Sequence, residues 1–384
     1  MIKTFHVYLT YFIIFFNISL FAQEKDNLLK IGLLAPLSGK YEKIGASILF
    51  ATQMALDEIN DENIIIIPRD SGFNDKKKID KAIKDIKSFD VEIIIGPISY
   101  NDFDVANKYP DTIFVSPSNY SSEFKGNVVS VGINLESQLK AIEKLLKKER
   151  KTKTVLLYPD DQNASFIEKN LKNLDFNFNK IFKYTPDQEI LTGQLEKITN
   201  YEQRKRNLKI RKKVLEKKDD LASQRELELL EQKYTLGKVN FDSVVILDFG
   251  NSLKSVISTL IFQDVDQNDV LFATLNQWFD KSLFFENSLK KLYFPSVNLN
   301  NFNKFKVKYR DNFFSEPNEI TILAYDAIGL VYYLWKSGKK SISINNFNID
   351  KRIKGKIGYF KFKKQKTLQD LNMYVTDNGK FKKY

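Results

Sequence analysis

Residues 28–60 read LLKIGLLAPLSGKYEKIGASILFATQMALDEIN, and this stretch carries the pattern that decides the fold. Its opening apolar run is typical of a strand that is buried on both faces. After the turn residues, apolar positions recur at helical spacing; they are Ile44, Ile48, Ala51, Ala55 and Ile59. A buried strand that leads into an amphipathic helix is the repeating unit of a parallel sheet covered by crossover helices.

The same alternation continues along the chain in two successive units. The first unit adds the apolar runs IIIIPRD (64–70), VEIIIGP (91–97) and TIFVSPS (112–118). The second begins near VVSVGIN (128–134) and includes TVLLYPD (154–160), KIFKYT (180–185), DSVVILDFG (242–250) and VLFATLN (270–276). The pattern predicts an α/β protein with two Rossmann-like lobes, each built on a parallel sheet.

A highly charged stretch interrupts the second unit. The segment from Glu202 to Lys218 is rich in Arg and Lys, and the residues from Asp219 to Glu231 are mainly acidic among their charged members. Sparse leucines on both halves favour two antiparallel helices that pair their charges. Two interpretations stay open, a solvated helical insertion or an arm that docks on a partner through Arg204, Arg206 and Arg211.

The N-terminus has the anatomy of a signal peptide. Lys3 precedes an apolar run from Tyr8 to Phe16, and a second short run ends at Ala22, where cleavage is expected. The alternative is a retained N-terminal anchor. With cleavage, we expect an exported, periplasmic protein that is not embedded in a membrane.

We expect the following partition of the chain. Residues 1–22 form the signal peptide, residues 27–132 and 298–350 form lobe 1, and residues 133–297 and 351–384 form lobe 2. The charged helical insertion covers residues 188–236, within lobe 2. Crossings between the lobes are expected near residues 131–135, 292–298 and 350–356.

The composition narrows the chemistry. The chain of 384 residues contains no Cys and a single His, at position 6, and its net charge is +12. Disulfides, thiolate metal sites and a lipid-modified cysteine are therefore excluded, and His6 lies inside the expected signal peptide. Without His or Cys the mature chain lacks the commonest general base and nucleophile, so we expect no enzyme, no cofactor and no metal.

Carboxylates remain as the alternative chemistry. Asp160, Asp161 and Asp70 stand at strand ends, where a carboxylate pair or a hard-cation site is conceivable, but acids in loops are usually solvated or cap helices. Nucleic acid is not expected as a partner, because the basic cluster lacks interleaved aromatic residues and the chain carries an export signal.

Taken together, these motifs resemble the leucine-binding-type family of periplasmic receptors, which has the type I periplasmic binding protein fold. The resemblance rests on residues 28–60, on Arg69 to Gly72, and on further landmarks. These are IIIGPIS (93–99), FVSPSN (114–119), LLYPDDQNAS (156–165), ILAYDAIGLVYYL (322–334) and KGKIGYFKFKKQ (354–365). The charged insertion departs from this pattern and is similar to one in the penicillin-binding protein activator branch of the superfamily.

The resemblance implies that ligand binds in the cleft between the lobes, at the carboxyl ends of the strands. Candidate ligand-binding residues are those that follow the strands, with short hydroxyl and amide side chains prominent among them. They are Ser38, Tyr41, Ser99, Ser118, Asn119, Asn163, Phe249 and Asn276. The alternative for each serine is that it caps the following helix.

Two functions follow from the resemblance. The first is a non-catalytic periplasmic solute-binding protein that binds a small polar ligand, such as an amino acid or amide, and delivers it to an ABC transporter permease. The second is a regulator of peptidoglycan synthesis, like the penicillin-binding protein activators, that contacts a cell-wall synthase. Amino-acid receptors of the family commonly carry Tyr-Gly where this chain has Asn163-Ala164, which weakens the amino-acid assignment.

Overall fold

The computed structural model describes residues 28–285, 289–347, 352–377 and 379–384. The predicted signal peptide lies outside these residues. Two compact units are present. The first contains residues 28–116, 125–128 and 324–347, and the second contains residues 117–124, 129–323 and the described residues after 351.

The first sheet has five strands in the order β2-β1-β3-β4-β5. Their bounds are β1 Leu29–Ala35, β2 Ile64–Asp70, β3 Ile93–Ile95, β4 Ile113–Ser116 and β5 Val128–Ser130. Strand β1 pairs in parallel with β2 and β3, and β3 pairs in parallel with β4. The chain reverses its direction of sheet growth between β1 and β3, which is the topological switch point of a doubly wound fold.

Helices cover this sheet because its strands are apolar on both faces. Their bounds are α1 Glu42–Ile59, α2 Lys76–Lys87, α3 Phe103–Ala106 and, near the end of the chain, α11 Thr321–Ser337. Helix α2 buries Ile79, Ile83 and Ile86 in a core that also contains Ile94 and Phe114. The predicted unit of buried strand and amphipathic helix is therefore confirmed.

The second sheet has seven strands in the order β15-β14-β10-β9-β8-β6-β7. Their bounds are β6 Thr154–Pro159, β7 Lys180–Tyr184, β8 Ser243–Ile246, β9 Leu271–Thr274, β10 Tyr293–Ser296, β14 Asn372–Asp377 and β15 Lys380–Lys383. Strands β6 to β9 pair in parallel, whereas β14 and β15 add antiparallel edges. The order of β6 to β10 repeats that of β1 to β5, so the two units share one plan.

Alternate residues of β6 enter different cores. Val155 and Leu157 pack in one cluster with Val244, while Leu156 and Tyr158 pack in a second. Side chains alternate across a strand, so the two clusters lie on opposite faces of the sheet. Helices α4 Leu135–Lys148, α5 Ala164–Leu171, α6 Gln188–Thr199, α9 Gly250–Phe262 and α10 Leu299–Phe313 accompany this unit.

The charged insertion is a helical hairpin of α7 Tyr201–Leu215 and α8 Leu221–Glu231. The predicted pair of antiparallel helices is thus confirmed, but the hairpin starts later than residue 188. Helix α6 contributes Leu191, Leu195 and Ile198 to the sheet core, so it is an ordinary crossover helix.

One feature of the second unit differs from the sequence-based partition. Helix α10, expected in lobe 1, belongs to the second unit, where Phe302 packs against the rings of Trp278 and Phe279. The tail forms a three-stranded antiparallel sheet in addition to β14 and β15. Its strands are β11 Arg352–Lys354, β12 Tyr359–Lys363 and β13 Lys366–Asp370.

We predict opposite effects from alanine at two helical glycines. A Cβ at Gly45 in α1 would lie 2.1 Å from the Pro36 carbonyl oxygen, so Gly45→Ala should lower the free energy of unfolding by about 2 kcal/mol. A Cβ at Gly193 in α6 meets nothing within 4 Å among the described residues, so Gly193→Ala should raise it by up to about 1 kcal/mol. Urea unfolding measures both, and equal effects would contradict the close approach of α1 to Pro36.

Candidate functional site

The carboxyl ends of the strands in the first unit bring together polar residues from three loops. Ser38 follows β1, Asp70 ends β2, and Ser99 follows β3. Because β1 and β3 flank the switch point, the loops that follow them border the crevice where ligands bind in doubly wound sheets.

Asp70 organises the first group of contacts. Its Oδ1 accepts hydrogen bonds from the backbone N–H groups of Leu37 and Gly72, both at 2.9 Å. The Lys78 ammonium lies 2.6 Å from Asp70 Oδ2 and donates to Ser38 Oγ at 2.6 Å. The loops after β1 and β2 are thus joined by one carboxylate and one cation, while Ser38 itself is exposed.

The charge of Asp70 is favoured by these partners. Burial raises the pKa of this carboxyl, but hydrogen bonds from Lys78, Ser38, Gly72 and Leu37 together outweigh burial and bring the pKa from 3.8 down to about 2. An ionised Asp70 therefore holds Lys78 beside Ser38 at neutral pH. Lys78 was not a predicted site residue, since a lysine in a polar helix has no distinguishing pattern in the sequence.

Ser99 caps the helical turn that follows it and also forms a hydrogen bond with the loop after β2. Its Oγ accepts a hydrogen bond from the Asn101 N–H at 3.3 Å, as a cap of the short helical turn at Tyr100–Asp102. The same Oγ donates to Asn74 Oδ1 at 2.6 Å, and Asn74 follows β2. Tyr41 packs its ring on Phe73 with a centroid distance of 4.1 Å, so an aromatic pair stands beside these polar groups.

Ser118 and Asn119, which follow β4, belong to the second unit and form hydrogen bonds with backbone groups of the same unit. Asn119 Oδ1 accepts from the Ile133 N–H at 2.6 Å, and Ser118 Oγ accepts from the Tyr120 N–H at 3.3 Å. A Cβ at Gly132 would lie 2.2 Å from the Ser118 carbonyl oxygen, which shows how closely the two segments approach. Ser118 is buried, whereas Asn119 is largely exposed.

In the second unit the predicted residues follow the equivalent strands. Asn163 comes after β6, Phe249 after β8 and Asn276 after β9. Asn163 is exposed and bonds Asp161 through its side chain at 3.3 Å. Asn276 is buried, with its Oδ1 accepting from the Trp278 N–H at 3.1 Å and its own N–H donating to Gln138 Oε1 at 2.8 Å.

Phe249 keeps 54% of its surface exposed at the end of β8. Tyr120 and Trp278, the other aromatic residues considered for ligand packing, lie against the rings of Phe166 and Phe302. Phe249 is thus the aromatic side chain at these strand ends that presents the most surface for a ligand to pack on.

A further pair at this edge was missed in the sequence. The hydroxyl of Tyr184, at the end of β7, donates to the Asp248 carboxylate, which also accepts from the Phe249 N–H at 2.7 Å. Burial, with the adjacent Asp248 carboxylate, raises the pKa of the Tyr184 hydroxyl well above its ordinary value. The pair fixes the loop that carries Phe249.

The three arginines proposed for partner docking differ in their surroundings. Arg204 is buried, and its guanidinium donates to the carbonyl oxygens of Gly237, Gln263 and Asp264 at 2.8–2.9 Å. Arg211 forms two hydrogen bonds with Glu226 of the facing helix, at 2.6 and 2.7 Å. Arg206 is exposed. Arg204 is therefore a structural anchor of the hairpin, and its side chain is not exposed to a partner.

In the described part of the chain, no group of three or more His, Cys, Asp or Glu side chains is arranged to hold a metal ion. Among the same residues, none of the helices is long and apolar enough to cross a membrane.

Comparison with known proteins agrees with this architecture. Residues 29–200 match the family model described as periplasmic binding protein. The match covers 172 of the 384 residues, so it shows a likeness of this part of the chain to that family. The described residues have the type I periplasmic binding protein fold. The order of strands in the two large sheets agrees with the predicted class of two Rossmann-like lobes.

Three solved structures illustrate the likeness. LivJ from Streptococcus pneumoniae, a branched-chain amino acid transporter substrate-binding protein in complex with isoleucine, has 18% identity and a TM-score of 0.53, over 92% of this chain and 98% of that one. LivK from Thermotoga maritima, a leucine-binding protein, has 14% identity and a TM-score of 0.54, over 93% and 98%. The C-domain of LpoA from Haemophilus influenzae, a regulator of PBP1A, has 13% identity and a TM-score of 0.61, over 92% and 99%.

These identities support the fold and leave the ligand open. No curated protein matches the sequence. Substrate-binding proteins and a regulator of PBP1A share the fold, so the choice between these functions depends on the site and the hairpin of this chain.

The Asp70 contacts predict a pH dependence of stability. The folded-state pKa of about 2 lies below the ordinary 3.8, so this group stabilises the folded protein fully above pH 3.8 and loses that contribution as the pH falls toward 2. In Asp70→Asn, the unfolding free energy should therefore change less steeply than in the wild type between these pH values. Urea unfolding at several pH values measures the slopes, and parallel curves would contradict an ionised, paired Asp70.

Proposed function

We propose that this protein is a non-catalytic, periplasmic solute-binding protein that binds a small polar ligand at the strand ends described above and supplies it to ABC-type uptake. The observation that carries the proposal is two hydrogen-bonded groups of the first unit, Ser38–Lys78–Asp70 and Ser99–Asn74. Except for Lys78, which lies on α2, these residues stand at strand ends or on the loops that border the switch point, where doubly wound sheets bind ligands.

The chemistry of this set favours a ligand with an anionic or hydrogen-bond-accepting group. Ser38 is exposed and Ser99 half-buried, and Lys78 supplies a cation that Asp70 holds in place. A carboxylate or amide oxygen is a natural partner for hydroxyl and ammonium donors. An amino acid, an amide or a small carboxylate would meet this requirement, and LivJ and LivK provide precedents for amino acids on this fold.

The strand ends of the second unit, taken by themselves, offer apolar surface. Phe249 presents an exposed ring at the end of β8, and its loop is fixed by Asp248 and Tyr184. With Asn163 in place of an aromatic residue after β6, Phe249 is the ring of this unit on which an apolar group would pack.

We predict that a ligand raises the thermal transition of residues 23–384, because a compound bound by the folded state alone stabilises it. The probes are individual L-amino acids, amides, small carboxylates and polyamines. In Ser99→Ala the affinity for the active compound should fall about tenfold, as expected for one lost hydrogen bond to a charged group.

Ser88→Ala is the matched control. Ser88 is an exposed residue at the end of α2, near the amino end of β3, whereas Ser99 follows the carboxyl end of the same strand. A saturable shift that both variants keep unchanged would exclude Ser99 from the site. No shift with any compound of the panel would count against solute binding.

Regulation of a cell-wall synthase is the second candidate function. The observations that favour it are the likeness to the LpoA C-domain and a helical hairpin that solute binding does not require. This role would rest on protein contact through exposed cations such as Arg206, since Arg204 and Arg211 are engaged within the second unit.

If the second candidate is correct, the purified protein should cross-link to a purified penicillin-binding synthase from the same organism. Arg206→Glu should then reduce the yield severalfold, because it reverses an exposed charge and leaves the anchor of the hairpin intact. Lys30→Glu, far along the chain on β1, is the control for a general charge effect. Equal yields from wild type and Arg206→Glu would exclude this residue from the contact.

A further inference from the structure

The hairpin of α7 and α8 has a small buried side that faces inward. Leu208, Leu215 and Leu230 form its core, with Leu227 and Leu236 packed against them. Arg204 ties the base of α7 to three backbone carbonyl groups, and the Asp264 carboxylate accepts hydrogen bonds from the Tyr234 and Thr235 N–H groups after α8. The hairpin is therefore held firmly on the second unit.

A second apolar stripe on each helix is exposed. Ile210 and Val214 of α7 are 62% and 43% exposed, and Leu221 and Leu229 of α8 are 62% and 67% exposed. Ile210 and Val214 are one turn apart on α7, whereas Leu221 and Leu229 are two turns apart on α8. Large aliphatic side chains with this exposure on two adjacent helices need an explanation.

Helical geometry puts the two stripes on the same side of the hairpin. Ile210 and Val214 lie roughly 100–140° from the buried stripe of α7, and Leu229 lies at a similar angle, in the same rotational sense, from that of α8. The helices are antiparallel, so equal angles in the same sense emerge on one side. Leu221 lies farther round, next to Arg225. We call this side the outer face, consisting of Arg206, Ile210, Lys213, Val214, Leu221, Arg225 and Leu229.

The charged residues of the outer face all have one sign; the Glu226 carboxylate lies between this face and the buried stripe of α8, where it pairs with Arg211. Arg206, Lys213 and Arg225 are exposed there, at the outer edge of the aliphatic stripes. The acidic residues Glu228 and Glu231 of α8 point to the opposite side, where α7 carries Lys205, Lys209 and Lys212. The outer face is thus aliphatic and cationic, while the opposite side has mixed charge.

We propose that the outer face of the hairpin binds the surface of a membrane that contains anionic lipids. Aliphatic side chains bordered by Lys and Arg are the composition of helices that lie in the headgroup region, where the apolar groups enter the acyl boundary and the cations meet phosphate groups. Protein interfaces, by contrast, are enriched in aromatic residues, Met and Arg and depleted of Lys, and the outer face contains Lys213 and neither an aromatic residue nor a Met. The composition of this face therefore fits a lipid surface better than a protein surface.

This binding is peripheral, and it does not depend on the proposed solute-binding function. The proposed contact involves the outer face alone, and no helix among the described residues is long and apolar enough to cross a membrane. Because Arg204 and Asp264 fix the hairpin base, adsorption of the outer face would hold the second unit at the membrane. The chain has no cysteine for a lipid anchor, and a surface-binding hairpin would serve the same purpose reversibly.

The test is co-sedimentation of residues 23–384 with vesicles of phosphatidylglycerol and phosphatidylethanolamine, and with vesicles of phosphatidylcholine alone. Omitting residues 1–22 removes their own affinity for lipid. We expect binding to the anionic vesicles only, weakened strongly by salt. The triple variant Arg206→Gln, Lys213→Gln, Arg225→Gln should bind roughly 100-fold more weakly, since each basic residue near an anionic surface contributes about 1 kcal/mol.

Two matched controls test the face itself. Lys205→Gln, Lys209→Gln, Lys212→Gln removes the same charge from the opposite side of α7 and should lose much less affinity. Ile210→Ser with Leu229→Ser should weaken binding, whereas Ile181→Ser with Val307→Ser, at positions 51% and 46% exposed elsewhere in the second unit, should not. Equal losses from the two triple variants, or no binding to anionic vesicles, would overturn the proposal, and the second result would leave the face to a protein partner.

Discussion

The burial of parallel strands on both faces is the constraint on which the rest of this structure depends. Residues such as Val155 and Leu156 are both buried, although they point to opposite sides of the second sheet. Both faces must therefore be covered by helices, and each helix must return the chain so that the next strand runs in the same direction. All carboxyl ends then lie on one edge, and the loops at that edge can carry polar residues without disturbing either core.

The polar residues at this edge are organised by a small number of carboxylates. Asp70 links the loops after β1 and β2 through Leu37, Gly72 and Lys78, and Asp248 fixes the segment before Phe249 through Tyr184. A carboxylate at a strand end can accept several hydrogen bonds at once, so one residue positions two or three loops. In a binding protein this rigidity reduces the ordering cost of capturing a ligand.

The hairpin of α7 and α8 is stabilised mainly at its base and not by a core of its own. Its own core of Leu208, Leu215 and Leu230 is too small to hold two helices in place, so its stability depends on its attachment at the base. The buried Arg204 guanidinium supplies that attachment through backbone carbonyl groups, which leaves most of the remaining cations of α7 at the surface. The basic residues of this run therefore have three different roles. Arg204 anchors the hairpin, Arg211 forms an ion pair within it, and others, such as Arg206, are exposed.

The sequence by itself determined the α/β class, the repeated plan of two units and the helical hairpin, because these depend on the local periodicity of apolar and charged residues. It also located Ser38, Ser99, Asn163, Phe249 and Asn276 after strands, since a strand end is visible as the end of an apolar run. Tertiary structure alone decided that Lys78 reaches Ser38, that Tyr184 meets Asp248 and that Arg204 is buried. These contacts join residues far apart in the chain, and nothing in the local pattern distinguishes Lys78 or Arg204 from their exposed neighbours. The position of α10 was also decided by contacts between residues far apart in the chain. Phe302 of this helix packs on Trp278 and Phe279, so the helix belongs to the second unit, although the order of elements had suggested lobe 1.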